Sequence, residues 1–291
     1  MDLCNYSEIK KLLERYGFNF SKSLGQNFLT ASWVPERIAL ESEISDACGV
    51  LEIGPGIGCL TVCLARSAKK VLSVELDKRL IPVLGETLGH ADNIQIIQGD
   101  IMKLDIRALA AEHLPDMPLH VCANLPYNIT SPILSNLLET KMFDSITVMI
   151  QREVAKRICA RPGSSDYGSF TVFCNYYTEP KILFDVPPDC FVPRPKVTSS
   201  VITMKKRQCP PCDIADEKHF FRVVRAAFGQ RRKTLVNCLS SVFGGEFTKV
   251  QLEEIITSLG FDARVRGETL GISDFAKISA AILNGPYTEP I

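Results

Sequence analysis

The feature that most constrains the fold is a strand running into a glycine loop, followed by two more strands with marked ends. Val50-Leu51-Glu52-Ile53 leads into Gly54-Pro55-Gly56-Ile57-Gly58, and a helix begins near Thr61. Glycines between a strand and a helix let a ligand approach the backbone closely, at the positive end of the helix. Val71–Glu75 reads as a second strand. Its closing acid lies about twenty residues after the first glycine, where a doubly wound sheet sets a carboxylate on ribose hydroxyls. Ile94–Ile97 is a third strand, ending at Gly99-Asp100. A single acid at a strand end is an ordinary cap or solvated loop; three consecutive strands ending in glycine or acid argue against coincidence. The spacing is GxGxG rather than the GxGxxG of nicotinamide dehydrogenases, and no hydride-transfer constellation accompanies it.

A fourth apolar run, Leu119–Ala123, ends in Asn124-Leu125-Pro126-Tyr127. In an open α/β sheet, chemistry sits beyond the carboxyl ends of the strands. An amide, a proline-fixed backbone and a flat ring placed there can hold a planar amino group. Methyl transfer to an adenine or carboxamide nitrogen requires such a hold.

Upstream, residues 5–17 predict a short amphipathic helix closed by Gly17, then a loop over Ser21–Leu29 carrying two amides. Pro35 opens a helix to about Ile44. Downstream, Ser131-Pro132 starts a helix through Glu139, Ile146–Ile150 is a fifth strand, and a charged helix covers Gln151–Ala160. After a turn-rich Arg161–Gly168, two more strands are expected around Tyr176–Asp185 and Ser199–Lys205. Between them Phe191–Val197 is a proline-fixed loop that can hold Phe191 rigidly. Beyond Lys205-Lys206-Arg207 the pattern is helical, which sets a domain boundary between 1–207 and 208–291.

The chain has 291 residues, 46% of them hydrophobic, enough for one large core or two domains. There is no apolar run long enough to span a bilayer, and the first residues lack the basic-then-apolar order of a signal peptide, so a cytoplasmic protein off the membrane is expected. Most of the 11 cysteines lie in apolar runs (Cys59, Cys63, Cys122, Cys159, Cys174) and read as buried reduced thiols. Cys209-Pro210-Pro211-Cys212 has no second pair or histidine cluster beside it and reads as a linker, so no metal is expected. Lys and Arg number 33 against 33 Asp and Glu, which excludes a chain basic all over. Positive charge is nonetheless concentrated at Arg222, Arg225, Arg231, Arg232 and Lys233. The phenylalanines among them fit a packed core; the charges suit either a solvated face or a phosphate-binding surface.

Together, Gln26-Asn27-Phe28-Leu29, Glu52–Gly58, Glu75-Leu76-Asp77, Gly99-Asp100, Asn124–Ile129, Phe191–Val197 and Phe228–Lys233 form an ordered set. By that set the chain closely resembles the small-subunit ribosomal RNA adenine N6,N6-dimethyltransferases (the KsgA family), from about Ser21 to Leu283. The resemblance implies a Rossmann-like, mostly parallel sheet of seven strands with a small all-helical C-terminal domain that recognises RNA. It implies S-adenosylmethionine as methyl donor, contacted by Asn27, Leu29, Gly54, Glu75, Asp100 and Asn124. The acceptor would be N6 of two adjacent adenosines in the 3′-terminal hairpin of 16S-type rRNA, methylated during ribosome biogenesis, with the small subunit as partner of a monomeric enzyme.

In that setting the Asn124 oxygen and the Leu125 carbonyl would accept the two N6 hydrogens, Pro126 would remove a competing donor, and Tyr127 and Phe191 would stack on opposite faces of the adenine. The basic tail residues would grip phosphates. Several rivals share parts of the pattern. Large-subunit rRNA dimethylases of the macrolide-resistance type share the catalytic architecture, and a non-catalytic assembly factor could keep the fold. DNA adenine methyltransferases usually carry an acid where Asn124 stands, and protein-glutamine methyltransferases a second proline where Leu125 stands.

Overall fold

The computed structural model describes residues 1–18 and 26–285. They form two compact units, one of Met1–Ala155 with Glu179–Lys206, the other of Lys156–Thr178 with the chain from Arg207 onward. The sequence pattern assigns 156–178 to the first domain; in the structure these residues pack with the C-terminal helices instead.

In the first unit, α1 (Tyr6–Arg15) is capped by Asn5, whose side chain accepts from the Ser7 and Glu8 amides. Gly17, at φ +58°, takes the left-handed turn that ends it. β1 (Phe28–Leu29) and α2 (Trp33–Glu41) lead to the sheet. Its first strands alternate with helices: β2 (Gly49–Ile53), α3 (Cys59–Ala65), β3 (Lys70–Glu75), α4 (Ile81–Leu88), β4 (Ile94–Gln98), α5 (Ile106–His113), β5 (Leu119–Asn124), α6 (Thr130–Thr140) and β6 (Ser145–Gln151). After α7 (Arg152–Ile158) and α8 (Ser169–Tyr177) come β7 (Thr178–Val186), β8 (Phe191–Val192) and β9 (Ser199–Lys206).

The seven-stranded sheet has the order β4-β3-β2-β5-β6-β9-β7. The five strands from β4 to β6 are parallel, and β9 runs antiparallel to β6. β2 is buried along its whole length, because helices cover both faces of a parallel sheet. The expected α/β, Rossmann-like sheet is therefore present with all seven strands. The chain order reverses beside β2, so β2 and β5 flank the switch point where such sheets bind ligands. A separate two-stranded ladder pairs Phe28 with Val192 and Leu29 with Phe191.

The second unit is helical: α9 (Glu217–Ala227), α10 (Leu235–Phe243), α11 (Lys249–Ser258) and α12 (Ile272–Leu283), with α8 packed among them. Phe220, Phe243 and Phe275 are its largest buried side chains, and Phe220 and Phe221 are buried as their helical spacing in the basic tail predicts. α8 explains the boundary. Its Ser-Phe-Thr-Val-Phe-Cys-Asn-Tyr-Tyr sequence has strand-like propensity, but Phe173, Tyr176 and Tyr177 pack on Phe221 and override it.

Candidate active site

A cleft of about 340 Å³ opens beyond the carboxyl ends of β2, β3, β4 and β5. Asn27, Leu29, Gly54, Glu75, Asp100, Asn124, Leu125, Pro126 and Tyr127 all line it, nine expected residues drawn from five separate stretches of chain. The glycine loop makes its floor. Gly54 and Gly56 hold φ of +69° and +63°, and a Cβ on Gly56 would stand 3.1 Å from the Phe28 ring.

Carboxylates set the electrostatics. Glu75 accepts from the Asp77 amide at 2.8 Å and the Gly56 amide at 3.2 Å. Burial raises its pKa, while those amide donors pull it back. Beneath it Glu52 is only 1% exposed. It accepts from the Ser73 hydroxyl at 2.7 Å, and its second oxygen has no hydrogen-bond partner among the described residues. Burial lifts its pKa to about 7. On the rim, Arg79 holds the Asp77 carboxyl below the usual range, and the Gln26 amide donates to Asp77 at 2.8 Å, tying the 26–29 arm to the end of β3.

The Asn124–Tyr127 end of the cleft is built by the loop after β5. The Asn124 amide nitrogen donates to the Asn27 carbonyl at 3.3 Å. A carbonyl only accepts, so the amide's orientation is fixed and its oxygen end is left to receive a proton donor. The Leu125 amide donates to Met149 on β6 at 3.1 Å, and its side chain is buried. The Thr130 hydroxyl donates to the Pro126 carbonyl at 3.1 Å, closing the turn into α6. Tyr127 is half-buried, and its hydroxyl shares a 2.5 Å hydrogen bond with Ser199.

The sequence pattern of the family described as "Ribosomal RNA adenine dimethylase" matches residues 17–276. The chain belongs to the ribosomal RNA adenine dimethylase family. Among similar members, "Ribosomal RNA small subunit methyltransferase A" of Geobacillus kaustophilus is 48% identical over 284 residues, 97% of each chain. The protein of the same name from Streptococcus equi subsp. zooepidemicus is 46% identical over 285 residues, 97% of this chain and 98% of that one. Two solved structures share the fold. A dimethyladenosine transferase from Plasmodium falciparum superposes with TM-score 0.75 at 24% identity, over 86% of this chain and 95% of that one. The 23S rRNA methyltransferase ErmE gives 0.67 at 26% identity, over 87% and 98%.

One residue expected in this dimethylase site is placed elsewhere. Phe191 does not line the cleft; it is 4% exposed and packs in the core with Leu29, Cys122, Met149 and Val201. Its pairing with Leu29 in the β1–β8 ladder seats both side chains in that cluster. The basic run divides as well. Arg222 donates to Glu246 at 2.8 Å and lies 4.2 Å over the Phe243 ring, and Arg231 is turned toward the Ser165 carbonyl and Glu268. Arg225, Arg232 and Lys233 are exposed on the helical unit.

Three features at or behind the cleft were not legible as such: the buried Glu52 that lines it, the Asp77 tie to Gln26, and Ser199 behind Tyr127. Glu52 had a signal, since an acid inside an otherwise apolar strand demands a reason. Ser199 had none.

Proposed function

We propose that this chain transfers methyl groups from S-adenosylmethionine to N6 of two adjacent adenosines in the 3′-terminal hairpin of small-subunit rRNA, yielding N6,N6-dimethyladenosine. The observation that carries this reading is the Asn124 amide, turned by Asn27 so that its oxygen is available in a cleft opposite the glycine loop. Identities of 46–48% to small-subunit methyltransferases, against 26% to ErmE, support the small-subunit substrate over the large.

The cleft suits a cationic donor. Glu52, Glu75 and Asp100 line it, one buried Glu52 oxygen has no hydrogen-bond partner among the described residues, and Leu76, Ile101 and Met102 provide apolar walls for a purine. Glu75 would take the ribose hydroxyls, with the glycine loop allowing close approach. When bound, the donor supplies a methyl group already activated on a sulfonium.

The remaining work is alignment and electrostatics, worth several kcal/mol. Adenine N6 is a poor nucleophile because its lone pair is delocalised into the ring. The Asn124 oxygen and the Leu125 carbonyl accept the N6 hydrogens and favour a pyramidal nitrogen; as N6 gains the methyl carbon the sulfonium S–C bond would break to leave a neutral thioether, and the proton shed by the alkylated N6 would pass to water. Pro126 offers no competing N–H. Tyr127 stacks on the base, which contributes roughly 1–3 kcal/mol and offsets the few kcal/mol needed to flip it out. With Phe191 in the core, one ring face is assigned to the slot. For the second transfer the pocket must accept a methyl where a hydrogen stood. Arg225, Arg232 and Lys233, exposed on the helical unit, would meet phosphates.

The test is labelled methyl transfer to small subunits lacking the modification, to large subunits and to free rRNA, with the product nucleoside identified. Dimethyladenosine formed on small subunits supports the reading; label on large subunits alone sinks it.

A further inference from the structure

Tyr127 and Ser199 are 72 positions apart in sequence, yet their hydroxyls meet at 2.5 Å. Ser199 opens β9 and pairs with Gln151, the last residue of β6. It is 0% exposed, and the ladder fixes its backbone. Tyr127 differs: its ring is half-buried and lines the cleft. A ring at a cleft wall can give its hydroxyl to water, so burial alone does not require this bond. Held at Cβ by the loop after β5 and at its tip by Ser199, the ring is fixed at both ends of its long axis. Its tilt is therefore set before any base arrives.

We propose that Ser199 is a positioning residue for the acceptor adenine, holding the Tyr127 ring at the angle on which the flipped base stacks. The inference rests on the reading of Tyr127 as that stacking face. Ordering a side chain during binding weakens association, and ordering it beforehand removes that cost from the acceptor step. The donor half of the cleft, built on Glu75 and the glycine loop, is not involved.

The test compares wild type, Ser199→Ala, Tyr127→Phe, the double variant and Tyr127→Ala. Transfer is measured on small subunits lacking the modification, and donor affinity by calorimetry. Ser199→Ala and Tyr127→Phe should each lower kcat/KM for the subunit by roughly tenfold, the scale of one immobilised side chain. Donor Kd should stay within about twofold, a change small against tenfold. The double variant should match either single one, because both remove the same bond. With 2-aminopurine at the target position, fluorescence quenching should be shallower in Ser199→Ala than in wild type. Additive losses in the double variant, or a matching loss of donor affinity, would overturn the inference. Activity lost in Tyr127→Ala but kept in Ser199→Ala would overturn it alone; activity kept in Tyr127→Ala would overturn the stacking reading with it.

Discussion

Asn124, at the end of β5, donates its amide to the backbone carbonyl of Asn27, 97 positions earlier in the chain, at 3.3 Å. The amide proposed to act on the acceptor is thus aimed by a residue of the 26–29 arm, which lines the same cleft. Asn124→Ala should lower kcat by about 10²–10³, the scale for removing one preorganised transition-state group. Donor affinity should fall only a few-fold by comparison, because Glu75 and the glycine loop remain. Asn124→Asp should be as damaging, since a carboxylate repels the Asn27 carbonyl and loses its fixed orientation. Single-turnover rates with calorimetric donor binding check both.

Gly56 combines φ of +63° with 3.1 Å between a would-be Cβ and the Phe28 ring. Gly56→Ala should cost about 1–2 kcal/mol from the backbone alone and push Phe28 away. Donor Kd should rise and Tm should fall, measured by calorimetry and thermal melting; an unchanged donor Kd would show that the loop does not need this conformation.

Glu52 sets a pH dependence. Its pKa is about 7 in the folded chain against 4.5 for the free group. Between those values the folded state binds the extra proton, so stability falls as pH rises through the window, by on the order of 3 kcal/mol at most. Urea unfolding at pH 5 and pH 8 should show a steeper loss for wild type than for Glu52→Gln. Donor affinity should strengthen as pH passes upward through about 7, where Glu52 becomes anionic, and that gain should vanish in Glu52→Gln.

The exposed cations give a salt signature. Neutralising Arg225, Arg232 or Lys233 by substitution should lower the log–log salt slope of RNA binding by roughly 0.7–0.9 for every phosphate that the side chain had paired. Arg222, already paired with Glu246 and stacked on Phe243, should behave otherwise: Arg222→Ala should cost about 1 kcal/mol of stability and leave the slope unchanged. Filter binding across salt concentrations separates the two kinds.

The parallel strands were readable because apolar runs closing at Gly54, Glu75, Asp100 and Asn124 mark strands whose ends line one cleft. α8 was not, because Phe173, Tyr176 and Tyr177 favour a strand locally and become helical by packing on Phe221. That helix lies in an added excursion: the chain enters the second unit at 155/156, returns to the first at 178/179, and crosses again at 206/207, beside the expected boundary after 207. Phe191 misled for a related reason. The rigidity of its proline-rich loop is evident in sequence, but the direction of its ring depends on pairing with Leu29. Ser199 was invisible because a serine at a strand start has many ordinary uses, and its partner lies in a different motif.

β9 runs against its neighbour β6. A parallel strand delivers its last residue to the catalytic rim, whereas a reversed one delivers its first. Ser199 therefore lies behind the cleft's Tyr127 at the start of a strand, where the neighbouring parallel strand has its end, and the support for that ring comes from two directions of travel. If Tyr127 meets the acceptor as proposed, changes in the segment entering β9 would retune that contact while leaving the glycine loop after β2 and the ends of β3 and β4 untouched.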